Sequence, residues 1–165
     1  MNEKEQNQLF QQLMEQHKGI LFKIARTYCQ DEEDRQDIIQ EMMIQIWQSL
    51  HKYNDKFKIS TWLYRISLNV AISFYRKDAV RIGNRTALNE HFSQIQESET
   101  TEKEQQMKLL EQFINKLNDL DKALILLYLE DKSHAEISEI LGISASNAST
   151  KVGRIKDKLK QYFTT

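Results

Sequence analysis

The scarcity of residues that interrupt helices is the feature that most constrains this fold. The 165 residues include no proline and only four glycines. Strands and their tight turns draw heavily on both residues, whereas Glu, Gln, Lys and Leu, which are abundant here, favour helices. The composition therefore predicts an all-α fold. It also excludes a glycine-rich loop that cradles nucleotide phosphates, because no such motif occurs in the chain.

Apolar residues recur at helical spacing through the first half of the chain. After a first amphipathic helix, the pattern predicts a second helix over residues 34–50 and a third over residues 61–77. Acidic residues before the second helix suit the positive end of its dipole. Ser60 has the side chain expected of an N-cap for the third helix.

The helical periodicity stops after the third helix and resumes near Glu102. The intervening segment contains glycine and asparagine and then a run of acidic and amide residues, a composition typical of linkers. We therefore expect two small helical domains, residues 1–78 and 104–165, joined by a flexible linker over residues 79–103.

The distribution of charge is more informative than the net charge of −1. From Ser144 onward, five lysine or arginine residues stand against a single acidic residue, Asp157. A local basic surface of this kind suits contacts with the phosphates of a nucleic acid.

The chain lacks the features of several other classes. Its single cysteine, Cys29, excludes internal disulfides and Cys-rich zinc sites, and its position predicts a small buried hydrophobe. No stretch approaches the roughly 20 apolar residues of a membrane span, and the polar N-terminus does not resemble a signal peptide. The four histidines form no catalytic or metal motif. We expect a cytoplasmic protein that is not an enzyme, with no cofactor, metal or small-molecule substrate.

A helix-turn-helix pattern occupies the C-terminal domain. Ser133 and Glu136 have the spacing of a capping box, Gly142 stands at the turn, and Ser144 can cap the next helix. That helix presents hydroxyl, amide and basic groups that suit base edges and phosphates. The candidate DNA-contacting residues are Ser144, Ser146, Asn147, Ser149, Thr150, Lys151 and Arg154. An ordinary helical hairpin with a solvated face shares these features, so the segment alone does not identify the class of protein.

Two N-terminal segments narrow the interpretation. The first reads DRQDIIQE and then IWQSL within residues 34–50, and the second reads FKISTWLYRI over residues 57–66. In this order, followed by a linker and a helix-turn-helix, they resemble the extracytoplasmic-function (ECF) sigma factors of bacterial RNA polymerase along nearly the whole chain. The resemblance implies sigma region 2 for residues 1–78 and sigma region 4 for residues 104–165.

The resemblance implies that the second helix docks on core polymerase. Asp37, Gln40 and Glu41 form a polar stripe at positions i, i+3 and i+4. In the family, the matching helix binds a coiled coil of the polymerase clamp. Without the resemblance, a solvated helix face is the simpler interpretation of these residues.

The resemblance also implies that the third helix and the loop before it hold the opened −10 element of a promoter. Aromatic rings stack on bases and cations hold phosphates, and in the family a flipped base enters a pocket at this place. The candidate residues are Lys56, Lys58, Trp62, Arg65, Asn69, Tyr75 and Arg76. Core packing is an equally open role for Trp62. By the same resemblance, the C-terminal recognition helix reads the −35 element.

The implied partners are core RNA polymerase, promoter DNA and, commonly in the family, an anti-sigma factor. The acidic residues 90–104 suggest a path near template or nascent RNA. The family often has a proline near Asn118, and its absence here should change only a local helix start. The alternative is a helix-turn-helix regulator that acts as a dimer on duplex DNA, but that reading leaves the acidic helix and residues 62–76 unexplained.

Overall fold

The computed structural model describes residues 1–77 and 101–164, which are almost entirely helical. The α-helices are α1 (Glu3–Tyr28), α2 (Glu32–Ser49), α3 (Ile59–Lys77), α4 (Glu102–Asn115), α5 (Asp119–Leu129), α6 (His134–Leu141) and α7 (Ala145–Thr164). The all-α prediction is confirmed, and no strand occurs within these two ranges. The predicted linker, residues 79–103, lies outside the described residues except for the start of α4. None of the helices described is long and apolar enough to cross a membrane.

Two helices begin earlier than the sequence pattern predicts. The Asp31 carboxylate accepts a hydrogen bond from the Glu33 backbone N–H, so α2 begins at Glu32 rather than at residue 34. The prediction that Ser60 caps α3 is wrong, because α3 already begins at Ile59. Ile59 packs against the hydrophobic core, and this burial places Ser60 inside the first turn.

Helices α1, α2 and α3 pack against one another as an N-terminal bundle. Their apolar stripes meet in a core where the large side chains are fully excluded from water. These side chains are Leu21, Ile24, Ile38, Met42, Ile46, Leu50, Leu63 and Leu68. Cys29 is also buried, as predicted for a small hydrophobe. A short 3₁₀ turn, Leu50–Lys52, leads from α2 into the loop before α3.

Helix α5 is the centre of the C-terminal bundle. Residues 123–127 are all buried, because α4, α7 and the N-terminal bundle cover α5. Lys122 is buried as well, and its Nζ donates a hydrogen bond of 2.8 Å to the Ile114 carbonyl oxygen. Burial lowers the pKa of the Lys122 ammonium to about 8. At the helix start, the Asn118 side chain accepts a bond of 2.9 Å from the Asp121 N–H, so Asn118 is the N-cap.

The two bundles pack against each other, with α1 and α3 on one side and α5 and α6 on the other. The buried apolar side chains of both bundles belong to one cluster. Tyr28 at the end of α1 is buried at this boundary, and its hydroxyl donates a hydrogen bond of 2.5 Å to the Asp119 carbonyl oxygen. Burial, followed by the nearby Asp119 charge, raises the pKa of the Tyr28 hydroxyl well above its ordinary value.

Candidate nucleic-acid interface

A pocket opens where the loop after α2 meets the first turns of α3. It encloses about 300 Å³, which is at the small end of the roughly 300–1,000 Å³ typical of ligand pockets. The residues that line it are Lys52, Tyr53, Asn54, Lys56, Phe57, Trp62, Arg65, Ile66 and Asn69. Its walls therefore combine aromatic rings, amides and cations, which are the groups that bind unpaired nucleotides.

Contacts within the loop hold the aromatic walls of the pocket in place. The ring centroids of Tyr53 and Trp62 lie 5.3 Å apart with the planes tilted by 57°. The Arg65 guanidinium lies over the Phe57 ring at 5.2 Å from its centroid, a cation–π contact. The Tyr53 hydroxyl donates to the Phe57 carbonyl oxygen at 3.1 Å, which ties the two ends of the loop together.

The pocket unites several of the residues predicted to bind the −10 element, namely Lys56, Trp62, Arg65 and Asn69. Tyr53 and Phe57 were not among the predicted site residues, although their aromatic rings within a loop that contains three lysines were the available signal. Trp62 is half-buried, packs against the core and lines the pocket. The two roles left open for this ring are therefore compatible in one position.

The other predicted −10 residues lie away from the pocket. The Tyr75 ring meets Tyr28 edge to face, with centroids 6.1 Å apart. The Arg76 Nε donates to an Asp119 carboxylate oxygen in the C-terminal bundle at 2.5 Å. Lys58 is exposed and is not among the residues that line the pocket. The structure thus places Tyr75 and Arg76 toward the C-terminal bundle, where they contact Lys122 and Asp119.

The helix-turn-helix has the local geometry that the sequence predicts. The Ser133 hydroxyl accepts from the Glu136 N–H at 3.1 Å, and the Glu136 carboxylate accepts from the Ser133 N–H at 3.3 Å. That backbone hydrogen bond from Ser133 holds the pKa of the Glu136 carboxyl below its usual value. Gly142 ends α6 in the left-handed region, with φ of 72°. The Ser144 hydroxyl caps α7 by accepting from the Asn147 N–H at 3.0 Å.

Helix α7 has one face in the core and an opposite face in solvent. Ala148, Val152 and Ile155 are buried, as a 3.6-residue period requires. The predicted DNA-contacting residues Ser144, Ser146, Asn147, Ser149, Thr150 and Arg154 are exposed, and Lys151 is half-buried. The Thr150 hydroxyl donates to the Ser146 carbonyl oxygen at 3.1 Å, so its proton is bonded within the helix.

The predicted polymerase-docking stripe is exposed on α2. Asp37, Gln40 and Glu41 all face solvent, and Glu41 accepts a hydrogen bond of 3.2 Å from the Gln45 side-chain amide. Ile44 continues this stripe one turn later with 42% of its surface exposed. Ile44 was not among the residues predicted from the sequence to form this stripe.

Comparisons with known proteins agree with both halves of this architecture. Residues 13–81 match the family model of Sigma-70 region 2, and residues 107–159 match that of Sigma-70 region 4. The RNA polymerase sigma factor NccH of Alcaligenes xylosoxydans xylosoxydans is 31% identical over 91% of this chain and 84% of that protein. The RNA polymerase sigma factor SigZ of Bacillus subtilis (strain 168) is 34% identical over 76% of this chain and 70% of that protein.

More distant similarities point in the same direction. The ECF RNA polymerase sigma factor SigW of Bacillus subtilis (strain 168) is 27% identical over 92% of this chain and 87% of that protein. Among solved structures, that of CnrH in complex with the cytosolic domain of CnrY shares the fold, with a TM-score of 0.70 and 21% identity over 96% of this chain and 89% of that chain. The chain therefore belongs to the extracytoplasmic-function sigma factors of bacterial RNA polymerase.

Proposed function

We propose that this sigma factor directs core polymerase to promoters through three separate surfaces. Helix α2 binds core polymerase, the pocket before α3 holds the opened −10 strand, and α7 enters the major groove of the −35 element. One observation carries the proposal: a formed pocket of aromatic and basic residues lies in one domain, and an exposed, capped recognition helix lies in the other. In this scheme residues 1–78 and 104–165 are the two functional domains, and residues 79–103 link them.

The pocket selects promoters by receiving one base that has left the duplex. The Trp62 and Tyr53 rings offer stacking surfaces, and the Asn69 amide offers a donor and an acceptor for the edge of the base. Arg65 and Lys56 lie beside the Phe57 ring, where their charges attract the adjoining phosphates. Stacking contributes roughly 1–3 kcal/mol per base. A pocket of this kind favours sequences whose opened strand supplies the base that fits it.

The recognition helix reads duplex DNA with short polar side chains. Ser146 and Asn147 lie in the first turn of α7, where a helix approaches base edges most closely. Thr150 presents its methyl group, which suits apolar contact with a thymine methyl. Lys151 and Arg154 follow one turn later and hold phosphates. The protein does not need a strongly positive net charge to bind DNA. Binding to polymerase raises the effective concentration of each DNA-binding domain, so a net charge of −1 is sufficient.

Docking on polymerase uses the exposed stripe of α2. Ile44 supplies apolar area at one end, and the acidic groups of Asp37 and Glu41 supply charge that orients a basic partner. Polymerase and promoter DNA are the macromolecular partners in this account, so the protein acts in the cytoplasm.

The acidic segment 90–104 is proposed to run near the path of template or nascent RNA. Unchanged initiation after neutralising its glutamates would exclude that role.

An anti-sigma factor is the proposed inhibitory partner. The related structures hold CnrH with the cytosolic domain of CnrY and, in Bartonella quintana, the sigma factor RpoE with the anti-sigma factor NepR. This chain shares the fold of both sigma factors, at TM-scores of 0.70 and 0.63. An inhibitor that covers α2 or the pocket would prevent both polymerase docking and strand binding.

The proposal is tested by sequencing the genomic DNA that the protein retains in the presence and absence of core polymerase. We expect retained fragments only with core polymerase, and we expect them to share two short elements at a fixed spacing. Enrichment of a palindrome by the protein alone would instead establish the dimeric helix-turn-helix regulator. The Asn147→Ala variant should lose the upstream element selectively, while Trp62→Ala should lose the downstream element.

A further inference from the structure

One side chain, Tyr53, closes the loop between α2 and α3 across its width. The Tyr53 hydroxyl donates a hydrogen bond of 3.1 Å to the Phe57 carbonyl oxygen, which spans the loop. The Tyr53 backbone N–H donates one of 3.1 Å to the Leu50 carbonyl oxygen, which fixes Tyr53 to the end of the 3₁₀ turn. Between them, the Asn54 side chain accepts from the Lys56 N–H at 3.0 Å, as in a tight turn. The loop is therefore held in shape by contacts of its own.

The Tyr53 ring supports the base-stacking wall of the pocket. Its centroid lies 5.3 Å from that of Trp62, with the two planes tilted by 57°. Aromatic pairs at this distance attract each other beyond the effect of their buried area. Both residues are half-buried and both line the pocket. A displacement of the Tyr53 ring would therefore change the angle at which the Trp62 ring meets a base.

The hydroxyl of Tyr53 also acts on the cationic wall of the pocket, through Phe57. The Arg65 guanidinium lies 5.2 Å from the centroid of the Phe57 ring, and the Lys56 Nζ lies 5.7 Å from it. Both cations belong to exposed residues, so the attraction of the ring limits where their charges stand. The carbonyl that receives the Tyr53 hydroxyl belongs to Phe57 itself. The hydrogen bond that fixes the Phe57 backbone therefore also directs the ring that holds the two cations.

We propose that Tyr53 is the positioning residue of the −10 pocket: its ring sets the stacking ring of Trp62, and its hydroxyl sets the phosphate-binding cations through Phe57. The inference rests on the proposed function, because it requires the pocket to receive a base of the opened strand. The Tyr53 hydroxyl contributes to selection of that base without bonding to it. It does so by holding the stacking wall and the cationic wall at the spacing of one nucleotide.

The first test is the Tyr53→Phe variant, which keeps the ring and removes the hydroxyl bond. Fluorescence anisotropy measures how tightly the holoenzyme binds single strands that carry the recovered downstream element, with an abasic site placed at each position in turn. In wild type, the abasic site at one position should cost roughly 5- to 150-fold in affinity, because the base of that position stacks in the pocket.

Tyr53→Phe should bind the intact strand roughly 2- to 10-fold more weakly than wild type, which corresponds to one lost hydrogen bond. The abasic penalty at the pocket position should shrink, while the penalties at the other positions stay within about twofold of wild type. Weaker binding with every abasic penalty unchanged would indicate a general structural role and overturn the proposal.

Tyr162→Phe is the matched control, because it also removes one tyrosine hydroxyl from a hydrogen bond. The Tyr162 hydroxyl bonds to Gln112 Oε1 at 3.3 Å, within the C-terminal bundle. Tyr162→Phe should leave the affinity and every abasic penalty within about twofold of wild type. An equal reduction of the pocket penalty in both variants would overturn the role of Tyr53.

The second test separates the two walls of the pocket with the Phe57→Leu variant. This change keeps the carbonyl that receives Tyr53 and removes the ring that holds Arg65. Strands with a neutral methylphosphonate beside the pocket base measure the phosphate contact. Phe57→Leu should reduce the loss caused by the methylphosphonate and keep most of the abasic penalty, whereas Tyr53→Phe should reduce both. A Phe57→Leu variant that loses the abasic penalty and keeps the methylphosphonate effect would overturn the path through Phe57.

The contact between Tyr53 and Trp62 is tested by fluorescence of the whole chain. The protein has two tryptophans, so Trp62 is the only one in a Trp47→Phe background. Adding Tyr53→Leu should raise the acrylamide quenching constant of Trp62 and shift its emission to longer wavelength, because the ring loses its neighbour. Circular dichroism checks that the helices remain. Unchanged quenching in the folded variant would overturn the support of Trp62 by Tyr53.

Failure of the positioning role is distinguishable from failure of the proposed function. If no abasic site weakens binding by the wild-type holoenzyme more than about twofold, the pocket does not receive a base and the proposed function is wrong. If wild type shows such a position while Tyr53→Phe keeps the full penalty there, only the positioning role of Tyr53 is wrong.

Discussion

In the proposed function, Trp62 serves both folding and recognition. One part of its ring packs against the hydrophobic core, and another lines the pocket beside Tyr53. The core contact fixes the ring before a ligand arrives, so a base that stacks on it loses less freedom than it would on a mobile side chain. The two roles that the sequence left open for Trp62 are therefore compatible, and the DNA-binding role stays a prediction.

Replacing Trp62 with alanine should weaken binding of the −10 strand by roughly 5- to 150-fold, which corresponds to the loss of one stacked base. Anisotropy with the holoenzyme measures the affinity, and circular dichroism checks that the bundle remains folded. Trp47→Phe is the matched control, because Trp47 lies on α2, outside the pocket, and bonds to Asn7. An equal loss of affinity in both variants would indicate that Trp62 only packs in the core and does not bind the strand.

Lys122 should make stability depend on pH, because burial lowers the pKa of its ammonium to about 8 in the folded protein. In the unfolded chain the group keeps its proton to about pH 10.4. Between about pH 8 and pH 10 the unfolded state therefore holds more protons, and the free energy of unfolding should rise with pH by at most about 1.4 kcal/mol per unit. Above pH 10 the buried Tyr28 and Tyr64, whose pKa values are raised, reverse the trend.

Urea titrations at a series of pH values measure this slope. Lys122→Met, which keeps the length of the side chain without its charge, should flatten the profile between about pH 8 and pH 10. A slope that persists in Lys122→Met would assign the pH dependence to another group.

At the scale of elements, the turn between α6 and α7 fixes the direction of the recognition helix. Gly142 has φ of 72°, and a Cβ added there would meet no atom within 4 Å. Glycine is therefore favoured at position 142 by the left-handed backbone conformation and not by a lack of space for a side chain. Gly142→Ala should lower the free energy of unfolding by about 1–2 kcal/mol.

Gly153 in α7 is the control for Gly142, because alanine at this position should change stability in the opposite direction. It lies inside α7 with an ordinary helical backbone, and a Cβ there would also meet no atom within 4 Å. Gly153→Ala should raise stability by about 0.5–1 kcal/mol. Urea unfolding measures both variants, and a loss of stability in both would contradict the assignment of the turn.

The elements show which parts of the fold could be predicted from the sequence. The Ser133 capping box and the Gly142 turn depend on residues a few positions apart, so their spacing was sufficient. The start of α3 was missed, because burial of Ile59 outweighed the local preference of Ser60 for a cap. The walls of the pocket at Tyr53 and Phe57 were also missed, because their role depends on how the loop folds onto α3.

At the scale of the whole molecule, the arrangement of the bundles could not be predicted from local patterns. Arg76 and Asp119 are 43 residues apart, and each looks like an ordinary exposed charge on its own helix. Only the packing of α1 and α3 against α5 and α6 shows that a predicted DNA-binding side chain is held by the other bundle. The sequence predicts what the surfaces bind, and the packing shows that Arg76 at the end of α3 contacts the C-terminal bundle.

Run-off transcription with purified bacterial core polymerase tests the central claim most directly. Templates that carry the two recovered elements should yield transcripts only when this protein is present, and changing either element should abolish them. Transcription activity should be much lower than wild type in Trp62→Ala and close to wild type in Trp47→Phe. Absence of transcripts with wild-type protein and active core polymerase would contradict the account.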